Sequence, residues 1–147
     1  MWSRLSTKAP DLAAWLEHQP PERLRGAAAN AAHLAVERTG LTDPRLDAAL
    51  RALRDGQFGR IAEQSGMQQL AAELDDDAWD LQEKAIIGTK SYEAYTAAFR
   101  KARAASSVGF ALGADALAAA LEAVYEAHAA TADLEAIQVA AGADAEQ

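Results

Sequence analysis

Few residues in this chain of 147 could do chemistry, and the metal ligands and proton carriers come first. There are three histidines and no cysteine. Glu122 and Glu126 are spaced by four with His128 just beyond, and His33 and Glu37 are also four apart. Such spacing puts two side chains on one helix face, where they usually form surface ion pairs. The Glu-x-x-His pairs that build metal centres inside helical bundles do not occur. Without cysteine there is no thiolate ligand, disulfide or thiol nucleophile. No metal and no cofactor is expected.

Nucleophilic and phosphate chemistry find no better support. Ser106 and Ser107 fall inside a helical stretch, not on the sharp strand-to-helix turn of a Gly-x-Ser-x-Gly motif. Small hydroxyl residues in such a place read as spacers between helices. Gly56 and Gly59 match neither the P-loop nor the dinucleotide pattern. No catalytic residue is assigned, and the chain is not expected to be an enzyme.

Three groups remain as candidate binding surfaces. Asp75, Asp76, Asp77, Asp80 and Glu83 form an acidic run whose plainest reading is a solvated helix face. Arg23, Asn30, His33 and Glu37 form a polar ridge, with Gly26 in line, along a helix otherwise built of alanine. A partner could approach that backbone closely, but the ridge reads first as the solvent side of an amphipathic helix. Tyr92, Tyr95 and Phe99 recur at helical spacing and read first as core, filling gaps that alanines leave. Together with Trp79 they could instead line a ligand pocket between helices.

What must hold these groups is a set of helices. Alanine dominates the apolar half of the composition, aromatics are 6%, and β-branched residues never cluster. The expectation is an all-α fold: one compact bundle of about six or seven antiparallel helices over 1–138, with 139–147 as a flexible acidic tail. Residues 1–8 read as a polar lead-in. Pro10-Asp11, Pro21 and Asp43-Pro44 open helices, and Gly40, Gly88 and Gly113 close them, with Gly113 in the left-handed conformation. A capping box at Ser65–Gln68 marks another start, Ser91 and Asp115 cap two more, and Asp133–Val139 adds a last turn or two. The alanine run 27–35 with the helix after Pro44, and residues 102–125, share one grammar and suggest two stacked alanine-rich hairpins. Their similarity is weak evidence for a duplication.

The net charge is −8, unevenly placed: nine basic and seven acidic residues in 1–60, then five and fifteen in 61–147. An acidic half steers basic partners and disfavours nucleic acid. No stretch makes a convincing membrane span or signal peptide, so a cytoplasmic protein is expected. Alanine- and arginine-rich, lysine-poor usage is similar to that of proteins from bacteria with high-GC genomes. The function expected is a non-enzymatic adaptor or immunity-type protein that binds a basic protein partner. The alternative is a helical-bundle sensor with an aromatic-lined pocket. A third reading, an enzyme using scattered carboxylates, has no motif behind it, and self-association through an alanine face is compatible with all three.

Overall fold

In the computed structural model, which describes residues 2–84 and 89–143 (the backbone alone at Lys90), the chain is all-helical. Among the described residues there are eight helices: α1 (Arg4–Lys8), α2 (Pro10–Glu17), α3 (Pro21–Thr39), α4 (Pro44–Arg54), α5 (Ile61–Lys84), α6 (Lys90–Ala111), α7 (Ala116–Thr131) and α8 (Leu134–Ala141). None is long and apolar enough to cross a membrane.

Local chemistry sets most of the helix ends. Pro10, Pro21 and Pro44 each occupy the first turn, where a missing N–H costs nothing. Asp43, Asp115 and Asp133 accept hydrogen bonds from the backbone N–H groups of Arg45, Ala118 and Ala136 at 2.8, 2.9 and 3.0 Å. Gly40 ends α3 at φ +68°, a left-handed conformation that glycine adopts without strain. Ala132 takes the same role after α7 at φ +52°.

The centre of the bundle is a three-way contact of α3, α6 and α7. Ala28, Ala31, Ala32 and Ala35 of α3, Ala104 and Ala105 of α6, and Ala120, Ala123 and Ala127 of α7 are fully buried. Methyl groups let these backbones approach closely, and dispersion between near-touching backbones replaces the burial that larger side chains would supply. Ser107 is the one hydroxyl inside this contact, donating to the carbonyl oxygen of Ala123 at 2.7 Å. It acts as a spacer that also joins α6 to α7. Leu5, Leu12, Leu16, Val124 and Ile137 fill the wider gaps toward α1, α2 and α8.

The structure departs from the sequence expectations in several places. Residues 4–8 are a helix with a Ser3–Ser6 capping box, and Leu5 inserts fully into the core. Helix α5 runs unbroken from Ile61, so Ser65 lies inside it: packing of Met67 and Leu70 against the core overrides the local start signal. Thr89 takes the cap position of α6, which leaves Ser91 within the helix. Gly113 is not left-handed. The end of α6 is closed instead by Leu112 N–H donating to the Val108 carbonyl at 3.3 Å and Gly113 N–H to the Phe110 carbonyl at 2.9 Å, while Arg25 donates to the carbonyls of Gly113 and Ala114 just beyond it at 2.5 and 2.7 Å. A side chain at Gly113 would sit 3.1 Å from the Phe110 carbonyl oxygen, so room is what this position requires. The helix α8 continues through residue 139 to Ala141, and Ala143 is buried. Gly88 and residues 144–147 of the expected tail lie outside the described residues.

Of the two imagined hairpins, α6–α7 packs as such, whereas α4 leaves α3 and packs on α5 and α6. Its amphipathic face carries Leu46, Ala49, Ala52 and Leu53, which need a wider groove than α3's alanine surface provides. The first stacked hairpin therefore does not exist as a unit.

Candidate functional site

The acidic run and the aromatic row belong to the same part of the molecule, the outer half of the α5–α6 hairpin. Ala78 is the last buried residue of α5 and Ala102 the first of α6; between them no described residue is buried. Helices α3 and α7 end beside the middle of this stretch, where Thr39 and Thr131 face Thr96 and Arg100 across a cleft. Beyond that point α5 and α6 have mainly each other to pack on.

An ion network anchors the base of the hairpin. Glu126 of α7 is 2% exposed, and its two carboxylate oxygens accept from Arg4 at 3.1 Å and Arg103 at 3.2 Å. The other arm of Arg103 donates to Asp75 of α5 at 2.5 Å, while Arg4 also pairs with Glu122. Rings cover the guanidinium faces: Phe99 lies 5.5 Å from Arg103, and Tyr125 and Phe110 lie 4.3 and 5.8 Å from Arg4. Partial burial alone would lower the Arg4 pKa, but hydrogen bonds and charge from Glu122 and Glu126 outweigh it and raise it. Arg103 Nε has no hydrogen-bond partner, a local cost of the arrangement. Glu122 and Glu126 are thus ion-pair anchors, and Asp75 leaves the free acidic set. Glu126 could have been found from spacing, because with Ala119, Ala123 and Ala130 it completes a buried helical stripe.

The Asp75–Arg103 pair also fixes which side of the hairpin is which. Trp79 follows Asp75 by one helical turn and Phe99 precedes Arg103 by one turn. The helices run antiparallel, so both rings lie one turn farther out on the same side. Tyr95 and Tyr92 continue the row, with ring centroids 6.4 Å from Phe99 to Tyr95 and 6.1 Å from Tyr95 to Tyr92. These four residues are neither core nor one pocket: Trp79 is 66% exposed, Tyr92 41% and Phe99 38%. Ala94, Ala97 and Ala98, with Leu74 and Leu81, line a shallow crevice along the hairpin that also takes in Asp77, Asp80 and Lys101, and Ala94 and Ala97 are exposed there. Asp76 and Glu83 are exposed and sit three before and four after Trp79.

The polar ridge is elsewhere. Arg23, Asn30, His33 and Glu37 are all on the exposed side of α3. Arg23 and Asn30 border a depression that also includes Trp15 and Gly142. A separate cleft of about 490 Å³ opens between α6 and the ends of α3 and α7, lined by Arg38, Thr39, Tyr92, Thr96, Arg100 and Thr131 among others. Of the four aromatic candidates, Tyr92 alone lines it. Among the described residues, no three His, Asp or Glu side chains are grouped as a metal would require. Comparison with known proteins adds no assignment: no family model, curated protein or solved structure matches the chain.

Proposed function

We propose that this is a non-enzymatic binding protein whose α5–α6 hairpin presents an acidic, aromatic face to a basic partner protein. The observation behind this reading is Trp79, 66% exposed on a helix that also bears Asp76 and Glu83 beside it. A large ring left in water next to carboxylates is costly for a free monomer and useful at an interface, where aromatic anchors dominate affinity. The carboxylates would contribute association rate and selectivity more than affinity. Affinity capture with the full-length chain tests it, comparing wild type, Trp79→Leu and Asp76→Asn/Glu83→Gln at low and high salt. A basic protein retained by wild type and lost by both variants supports the reading. A partner held equally by all three, or insensitive to salt, defeats it.

A second reading rests on the cleft beside Tyr92, where Arg38, Arg100 and Glu93 stand among threonine hydroxyls and alanine methyls, a mixed lining that would suit a small polar organic molecule. A ligand that raises the melting temperature of wild type but not of Arg100→Ala would favour it.

A further inference from the structure

We infer that the partner meets the Trp79–Phe99 side of the hairpin with arginine side chains in preference to lysine, an inference that rests on the binding reading above. The chain shows how it treats its own outer rings. Arg103 covers Phe99, Arg4 covers Phe110 and Tyr125, and Arg25 lies 3.8 Å from the centre of Phe58. Trp79 is the most exposed ring on the hairpin, and among the described residues no cation covers it. An indole has the strongest attraction for a cation of any side-chain ring.

Its neighbours favour the same ligand. Asp76 and Glu83 flank the indole on its own helix, and no ion pair among the described residues involves either. A guanidinium stacked on the ring can still direct its in-plane N–H groups to a carboxylate on either side. An ammonium is also drawn to the ring as a cation but has no flat face to stack and cannot reach both acids while lying on the ring, so it gains less from the indole than a guanidinium does. The Asp75–Arg103 pair with Phe99, one turn below, has this same composition: carboxylate, guanidinium and ring within one chain. At Trp79 the carboxylates and the ring are present, and the arginine comes from the partner. The charge of the face also argues against nucleic acid as the occupant.

The probes are an octa-arginine and an octa-lysine peptide of equal charge, each fluorescently labelled. They are titrated with the full-length protein near 0.15 M salt and followed by polarisation. Wild type is expected to bind the arginine peptide roughly fivefold more tightly than the lysine peptide, the size of one or two partly exposed stacking contacts. Trp79→Leu should bring the arginine peptide down to about the lysine level and lower the lysine affinity by a smaller factor. Asp76→Asn/Glu83→Gln should weaken both together. Because Trp79 is outside the core, a circular dichroism spectrum matching wild type confirms that the variant is folded. Equal affinities in wild type, or an arginine preference that survives Trp79→Leu, overturns the inference while leaving a basic partner possible. Binding of neither peptide overturns both readings. Self-association by light scattering that Trp79→Leu abolishes would put a second copy on this face and also overturn the inference.

Discussion

Replacing Glu126 with glutamine keeps the side chain's shape and removes its charge, which isolates what the ion network at the hairpin base contributes. Glu126 is 2% exposed and receives two guanidinium groups, from Arg4 and Arg103. A glutamine can accept through one oxygen only and turns its NH2 group toward a second donor. One charge-assisted hydrogen bond is therefore lost outright, worth about 1.5–3 kcal/mol, and the other loses its ionic part. Arg103, whose side chain is 19% exposed, cannot turn fully to water, which pushes the cost toward about 3 kcal/mol; Arg4, 38% exposed, largely can. For a chain of this length that is a fall of roughly 6–12 °C in melting temperature. Glu122→Gln is the internal control: Glu122 is 29% exposed, its pair with Arg4 is screened, and under about 1 kcal/mol is expected. Urea unfolding followed by circular dichroism reads both. A Glu126→Gln loss below about 0.5 kcal/mol, or one no larger than that of Glu122→Gln, would refute the claim that burial makes this network matter.

Two glycines inside helices should respond to alanine in opposite directions. A Cβ at Gly26 meets nothing within 4 Å, so Gly26→Ala should stabilise by about 0.5–1 kcal/mol through helix propensity. At Gly109 the added carbon would lie 3.1 Å from Met67 Cβ, so Gly109→Ala should destabilise by about 1–2 kcal/mol as α5 is pushed from α6. The urea midpoints check the pair, and a gain at Gly109 would show that the α5–α6 contact has slack. His128 gives a pH dependence. Burial, and secondarily the charge of Lys8, lower its pKa below the ordinary value of ~6.5, so the unfolded chain protonates first as the pH falls. Its contribution is complete above ~6.5 and is lost as pH falls through that value toward the folded pKa. His128→Gln should therefore lose less stability than wild type between pH 8 and pH 5.5, and equal losses would contradict the assignment.

Much of the architecture was written locally. The all-helical class follows from alanine content and the scarcity of β-branched residues, and Pro21, Gly40, Pro44 and Asp115 mark helix ends where the structure has them. Such signals act through a residue's own backbone and its neighbours within a turn, so a single window of sequence carries them. The candidate surface was legible as a list and not as a place. Trp79, Asp76 and Glu83 share a helix face by spacing alone. That Tyr95 and Phe99 stand on the same side, Phe99 exposed and Tyr95 half-buried rather than in the core, depends on how α5 meets α6. Local signals misled at Ser65, where core contacts carry the helix through, and at Gly113, where a tight turn onto the Phe110 carbonyl ends α6 without a left-handed residue. Arg4 and Glu126 stand 122 positions apart, and no window that holds one holds the other. Their pairing arises because three alanine-faced helices pack closely enough to trap a carboxylate that two arginines can still reach. Propensity and capping settled where the chain turns; which charges are buried and which rings stay in water followed from which helices came to lie together.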